Sequence, residues 1–426
     1  MMQRGKYMEL YGTFGPSCCE TELLSRMLDA GMTGIRLNLS HGNLLEHPEW
    51  LYNWREAQLR SGRHAELMID LKGAELRIVE LKGKSLLCGG ELVNLYAGAV
   101  PDTGGPVRIS PDLEAQPESQ QKNQPEGKDS YLKELFLHGD KSLTENVGIA
   151  GSAETVFSSR AVCHIGIPQP LYRALRSGQH LFINDAELEL EVLPPRRSNF
   201  YPSVGTEWTK GEKAVSERDN DLSSVSMPLS CRVLRGGMAA PGKSIALRGV
   251  EIPLPVLTPE DIENLAHARE AGVTAVMQPF VECGEDVELL RRELSARGLS
   301  KLRIFAKIEN QAGIEHLDEI MAAADHIVIA RGDLGSNIGF PRLPKTQEEI
   351  ARRCRAVKKP FMVVTQLLHS MIEHSVPTRA ELSDIYLAVR QGASSLMLTG
   401  ETAIGSYPLE AMRWLRDIAE ASAIQD

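Results

Sequence analysis

No run in the chain approaches the roughly 20 consecutive apolar residues that a membrane-spanning helix requires. The opening M-M-Q-R-G-K-Y likewise lacks the apolar core of a signal peptide. Neither a membrane partner nor a secretory leader is expected, and the expected location is cytoplasmic. Basic charge is also short: 47 Lys and Arg face 57 Asp and Glu, for a net charge of -10. A sequence-independent nucleic-acid binder would want a basic face, so nucleic acid is not an expected partner. A local basic pocket for an anionic metabolite remains compatible with that balance. The seven cysteines include no C-x-x-C pair, which removes zinc-ribbon and thioredoxin-like patterns. Cys18 and Cys19 are the only tight pair, and neighbouring residues rarely bridge. All seven are expected as free thiols of a reducing compartment.

What is present is ordinary for a soluble globular protein: 42% hydrophobic and 24% charged residues in a chain of 426. That length suits two domains, or one large barrel with an insertion. The stretch from Arg303 to Gly335 shows the plan. R-I-F-A-K-I-E-N and D-H-I-V-I-A-R-G-D are short apolar strands that stop abruptly at charged residues. Gly313 to Ala324 between them carries apolar residues at helical spacing. Such a strand–helix–strand unit makes the two strands parallel, with their C-terminal ends at one rim.

The same rhythm begins at Tyr7 to Gly12, followed by T-F-G-P-S and a helix that stops at Gly31. The second strand, G-I-R-L-N-L-S-H-G, sets Ile35, Leu37 and Leu39 on one face and Arg36, Asn38 and Ser40 on the other. A polar face inside a buried strand is costly unless it lines a site. The third strand, E-L-M-I-D-L-K-G, ends in Asp70 and Lys72, with Glu75 and Arg77 close behind.

From Val79 the rhythm changes to short alternating runs, with a strand pattern over residues 180–193. Residues 116–130 are polar, contain Pro and Gly, and read as a mobile loop. The parallel rhythm resumes at Thr258, an N-cap followed by Pro259, and supplies five further strands. The reading is an α/β fold: a (β/α)8 TIM barrel formed by residues 1–78 and 236–426. An inserted, mostly β lid domain after strand 3 takes residues 79–235. The 269 residues outside the insertion match the roughly 250 of such a barrel.

In that fold the active site lies at the C-terminal ends of the strands. Those ends carry Thr13, Arg36, Asn38, Ser40, Asp70, Lys72, Lys307, Glu309, Asp333, Thr365, Gln366, Thr399 and Glu401. Glu309 and Asp333 suit a hard divalent cation such as Mg²⁺ or Mn²⁺ that leaves room for substrate oxygens. Arg36 and Arg77 offer planar donors to a phosphate or carboxylate. Lys307 would neutralise charge developing on a transferring phosphoryl group or an enolate oxygen. Backbone N–H groups of residues 332–335 could cradle a carboxylate. These parts describe phosphoryl transfer or enolate chemistry on a small anion.

The runs G-T-F-G-P-S, G-I-R-L-N-L-S-H-G, I-D-L-K-G-A-E-L-R, A-K-I-E-N-Q-A-G, I-A-R-G-D-L-G, V-T-Q-L-L-H-S-M, P-T-R-A-E-L-S-D and L-M-L-T-G-E-T-A-I-G-S-Y-P occur in this order. Together they resemble the pyruvate kinase family across nearly the whole chain. The resemblance implies phosphoryl transfer from phosphoenolpyruvate to ADP, with Mg²⁺ (or Mn²⁺) and K⁺. Residue by residue, it implies that Lys307 assists the transfer and that Arg36 and Arg77 bind phosphate. Glu309 and Asp333 would hold the divalent ion. Asn38, Ser40, Asp70 and the Leu71 carbonyl would hold potassium. Thr13, Pro16, Asn38, His41 and Lys243 would contact nucleotide. Gly332, Asp333 and Thr365 would meet the substrate, and Thr365, Thr399 and Glu401 would serve protonation of the enolate.

Some positions depart from the family pattern. Pro279 and Glu282 replace a hydroxyl and a cation, and Asn337 and Pro341 replace glutamates. Leu71 replaces Thr, Thr399 replaces Ser, and the lid's D-D-G reads Asn184, Asp185, Ala186. The family usually adds an α/β domain after the eighth helix. Without one, sugar-phosphate activation is not expected, although the barrel could still support a homodimer. Two rival readings stay open: a non-catalytic or regulatory protein that binds phosphoenolpyruvate and metal, and a metal-dependent, aldolase-type enolate enzyme.

Overall fold

The computed structural model describes residues 8–100, 162–194 except 185, and 228–423 except 248, 249, 251 and 253. Eight strands form a closed barrel: β1 (Glu9–Thr13), β2 (Gly34–Asn38), β3 (Glu66–Asp70), β4 (Ala275–Gln278), β5 (Arg303–Ile308), β6 (His326–Ala330), β7 (Phe361–Val364) and β8 (Ser395–Met397). Every neighbouring pair is parallel, and β8 returns to β1 through Glu9↔Ser395. The period-two pattern sorts the side chains. Tyr11, Met68, Met277, Phe305, Met362 and Met397 fill the barrel interior. Their sequence neighbours, such as Leu10, Leu67, Val276, Ile304 and Leu396, pack outward beneath the helices. Ile35, Leu37 and Leu39 lie in this outer layer, as the alternation in β2 predicts.

One helical stretch is divided where the spacing suggests a single run. Residues 311–323 form two helices, Gln311–Glu315 and Leu317–Ala323. At His316, between them, the ring Nδ1 lies 2.9 Å from the Glu282 carbonyl oxygen. The helix Pro259–Ala271 starts on the expected cap: Thr258 Oγ1 accepts from Asp261 N at 3.1 Å, and Asp261 Oδ2 accepts from Thr258 N at 2.9 Å. Asp261 also reaches across to the chain leaving β3. Its carboxylate accepts from Lys72 N at 2.8 Å and from Gly73 N at 3.2 Å. One fully buried carboxylate thus ties the exit of the insertion to its return.

A separate seven-stranded sheet has the order Ile245–Leu247, His180–Ile183, Leu188–Val192, Leu229–Arg235, Leu92–Ala97, Cys163–Ile167, Glu80–Gly83, so its first strand lies beyond the expected boundary at residue 235. Val93, Leu95, Ile165, Leu181, Leu190 and Val233 give it a core separate from the barrel's. The strand pattern over residues 180–193 is an antiparallel hairpin and not one strand. Asn184 and Ala186 take left-handed φ values of 55° and 62° there and reverse the chain. The expected mobile loop at 116–130 and Asp185 lie outside the described residues.

All seven cysteines are free. Burial pushes the thiols of Cys18, Cys231 and Cys354 up to about 12 and that of Cys163 to about 11, which suppresses the reactive thiolate. Cys88 is exposed. Labelling of the native protein with iodoacetamide at mildly alkaline pH, read by mass spectrometry, should mark Cys88 first. Those four buried thiols should react only after denaturation, and early labelling of Cys231 or Cys354 would contradict the packing described.

Candidate active site

The C-terminal rim gathers four charged side chains from three strands into one cluster. Lys307, near the end of β5, lies 2.8 Å from Glu309 Oε1 and 3.6 Å from Asp70 Oδ2. Arg36, from β2, grips the same Asp70 oxygen through Nη2 at 2.6 Å and Nε at 2.8 Å. The cluster is shielded: the side chains of Asp70 and Glu309 are 2% and 0% exposed, those of Arg36 and Lys307 12% and 14%. Burial alone would push the Lys307 ammonium down, but Asp70 and Glu309 outweigh it and hold the group above its usual range. Lys307 therefore stays charged at any ordinary working pH. Burial raises the Glu309 carboxyl, Lys307 opposes that rise, and Asp333 adds to it.

Glu309 is aimed from behind as well. Phe280, at a left-handed φ of 51°, turns its backbone N–H onto Glu309 Oε2 at 2.7 Å. The Phe280 ring also lies 6.0 Å from the Lys307 ammonium. One buried acceptor of the cluster is left over: Asp70 Oδ1 has no hydrogen-bond partner, whereas Glu309 Oε1 is held by the Lys307 ammonium in the 2.8 Å ion pair. Buried carboxylate oxygens without donors suit cations. Among the described residues, no three His, Cys, Asp or Glu side chains form a ready-made cage. A pair of carboxylates with open positions is the arrangement that magnesium favours.

Arg77 is placed differently from Arg36. It bridges to Ser244 on the returning edge of the insertion, forms an ion pair with Glu75, and donates to the Gly242 carbonyl at 2.5 Å. Its Nε is buried and unpaired, a donor that an anion could take. Burial raises the Glu75 carboxyl, and Arg77 draws it back down. Lys243 lies in this same corner, its carbonyl accepting from Ile78 N at 2.9 Å.

The end of β8 is held to the loops around it. Glu401, 1% exposed, accepts from Thr399 N at 2.7 Å and from Leu368 N at 3.1 Å. Thr399 Oγ1 donates to the same carboxylate at 3.2 Å. Thr13 Oγ1 donates to the Leu398 carbonyl at 2.9 Å and lies 3.5 Å from Arg36 Nη1, whereas Pro16 is exposed. Gly332 and Asp333 form the first turn of the helix Arg331–Ile338, which leaves β6 with no intervening loop. Thr365 follows β7 with a φ of 80°, and its methyl Cγ2 lies 3.3 Å from where a Cβ on Gly332 would be. Asn38 Oδ1 accepts from Ser40 N at 3.2 Å, so these two also cap the turn after β2. Leu71 is buried, its N–H bonded to Met277 O at 3.0 Å. The His41 side chain lies outside the described residues.

A cavity of about 580 Å³ adjoins the cluster. Glu309, Asp333, Phe280 and Glu75 line it, together with Leu247 and Ile252 of the chain returning from the insertion. Four of the departing positions, Ala186, Pro279, Glu282 and Asn337, line it as well. Glu282 Oε1 accepts from Asn310 Nδ2 at 3.3 Å, and Asn337 Oδ1 accepts from Gln311 N at 3.2 Å. Sequence reasoning missed Phe280 and gave Arg331 no task, although Arg331 stands at a strand end like the residues it selected.

Comparison with known proteins identifies the scaffold. The model of the pyruvate kinase barrel domain matches residues 6–97 and 214–412. The chain is 29% identical to pyruvate kinases of Chlamydia pneumoniae over 95% of its length, of Aeropyrum pernix over 97% and of Geobacillus stearothermophilus over 96%. It spans 66%, 70% and 55% of those proteins, respectively. With the barrel, the inserted sheet and the rim cluster on the same chain as this match, the protein belongs to the pyruvate kinase family.

Proposed function

We propose that the chain transfers the phosphoryl group of phosphoenolpyruvate to ADP, yielding pyruvate and ATP. The observation that carries this reading is the buried Arg36–Asp70–Lys307–Glu309 cluster, which presents the undonated Asp70 Oδ1 beside the Lys307–Glu309 ion pair. Lys307 stabilises the equatorial charge of the phosphoryl group as it passes between oxygens. Arg36 and the open Arg77 Nε orient that group. The N–H groups of Gly332 and Asp333, at a helix start, receive the carboxylate. Thr365 and the Thr399–Glu401 pair serve the protonation of the enolate. Thr13, Pro16, Asn38, His41 and Lys243 take the nucleotide, and the inserted domain of residues 79–235 acts as a lid.

Glu309 and Asp333 would hold Mg²⁺ or Mn²⁺, while Asn38, Ser40, Asp70 and the Leu71 carbonyl would hold K⁺. When bound, these ions neutralise charge on the substrate oxygens. The substrates are cytoplasmic metabolites, which places the work of the protein in that compartment. Mg²⁺ should raise the melting temperature of the unmutated chain, and Glu309→Gln should abolish that rise. A rise that survives the substitution would move the ion elsewhere.

The deciding test is ³¹P NMR of the protein with phosphoenolpyruvate, ADP, Mg²⁺ and K⁺. Growth of ATP resonances supports the kinase reading. A second reading, a regulatory protein that binds phosphoenolpyruvate without turning it over, draws on two observations. Arg77 is engaged by Glu75 and Gly242, and Pro279, Glu282 and Asn337 alter the cavity wall. Thermal stabilisation by phosphoenolpyruvate with no ATP formed would favour it.

A further inference from the structure

Thr365 and Gln366, just past β7, occupy left-handed φ values of 80° and 55° in succession. A β-branched residue such as Thr365 rarely enters this region and stays there only where its surroundings hold it. The surroundings here converge on one side chain. Arg331 donates to the Thr365 carbonyl through Nε at 3.1 Å and Nη2 at 2.5 Å, and Nη2 also reaches the Gln366 carbonyl at 3.2 Å. Its remaining arm, Nη1, is fixed by Asp384 Oδ2 at 2.6 Å from the helix Arg379–Arg390. The Arg331 side chain is 11% exposed, so these bonds face little competition from water.

Every arm of the planar fork is therefore spent on the strained turn or on its anchor. A lysine offers no such fork. Arg331 itself begins the helix whose first turn contains Gly332, against which the Thr365 methyl packs. The side chain that bends the Thr365 backbone and the backbone that confines the Thr365 side chain belong to the same two residues.

We propose that Arg331, braced by Asp384, is a positioning residue that holds the Thr365 hydroxyl toward the substrate by imposing the left-handed turn at Thr365–Gln366. This inference rests on the reaction proposed above, at its second half. There the enolate methylene carbon takes up a proton originating in solvent and becomes the methyl group of pyruvate. Arg331 touches neither substrate nor metal in this scheme. Its effect passes through the geometry of Thr365.

The test compares the unmutated chain with Arg331→Met, Asp384→Asn and the double variant Arg331→Met, Gln366→Gly. Two readouts are needed: steady-state turnover, and exchange of pyruvate methyl protons into D₂O by ¹H NMR with Mg²⁺, K⁺ and inorganic phosphate. Arg331→Met should lower kcat and the exchange rate together by about 10- to 100-fold, the scale of a misplaced catalytic group. KM for phosphoenolpyruvate should change far less than kcat, because Arg331 itself makes no contact with the substrate in this scheme. Gln366→Gly should restore part of the exchange rate, since glycine enters the left-handed region without penalty. Asp384→Asn should act in the same direction but more weakly, and it guards against misfolding of the methionine variant. A lowered melting temperature with both rates unchanged would overturn the positioning role and leave Arg331 a fastener between β6 and β7. Absence of turnover in the unmutated chain would overturn the reaction itself, and this inference with it.

Discussion

Lys307→Met should lower kcat for ATP formation by about a thousandfold or more, while the barrel still folds. Removing one preorganised hydrogen-bond donor at a developing oxyanion typically costs a hundred- to a thousandfold, and here a full buried charge is removed. The loss should fall on kcat more than on KM, because in the proposed reaction Lys307 serves a charge that appears only as the phosphoryl group moves. The substitution also strips a cation from two buried carboxylates. Asp70 keeps its two contacts with Arg36, whereas Glu309 keeps only the Phe280 N–H. Breaking a buried pair by removing one partner costs about 3–5 kcal/mol when nothing compensates. Glu309 can compensate by taking up a proton, since burial already favours its neutral form. The melting temperature should therefore fall, less at mildly acidic pH than at neutral pH. ATP produced at an unchanged rate by this variant, monitored by ³¹P NMR, would remove Lys307 from the reaction.

Asp261→Ala should be the most damaging single change away from the rim. The carboxylate is 0% exposed and accepts from Lys72 N, Gly73 N, Thr258 N and Thr258 Oγ1. Hydrogen bonds to a charged acceptor contribute roughly 1.5–3 kcal/mol each, but they are not additive and water can enter the gap. A net loss of about 3–4 kcal/mol in denaturant unfolding is expected, partly through the lost helix cap. The distinctive effect is local. Gly73 has a φ of 62° and leaves no room for a Cβ beside Pro279, so only glycine fits the turn that Asp261 holds. Amide hydrogen exchange at Lys72 and Gly73 should rise well above that of the neighbouring β3 amides. Exchange at wild-type rates would show that the exit of the insertion is fixed by something other than Asp261.

Much of the rim was readable in the sequence because strand alternation converts order in the chain into direction in space. Arg36 between Ile35 and Leu37, and Lys307 between Ala306 and Ile308, had to face inward once their neighbours faced the helices. The closed barrel followed from eight strands that each end in polar residues. What the sequence withheld depends on contacts between distant elements. Asp261 reads as an ordinary member of a helix cap, and nothing in T-P-E-D reveals its grip on Lys72 and Gly73. The task of Arg331 is hidden for the same reason, because its partners lie 34 and 53 residues away. Left-handed backbone at Phe280 and Thr365 runs against the preference of those residue types and emerges only when tertiary bonds outweigh local propensity. The hairpin at residues 180–193 hid behind an alternation that continued through its turn.

The direct pairing of β3 with β4, Asp70 beside Met277, closes the barrel across the whole insertion. The entropy of closing such a loop grows only with the logarithm of its length, so doubling the inserted segment costs about 0.6 kcal/mol. The barrel is thus nearly indifferent to how long that segment is, provided the clasp at its base persists. Length and composition can drift there while the C-terminal rim stays fixed, which makes the insertion the part of the molecule where relatives can diverge most cheaply.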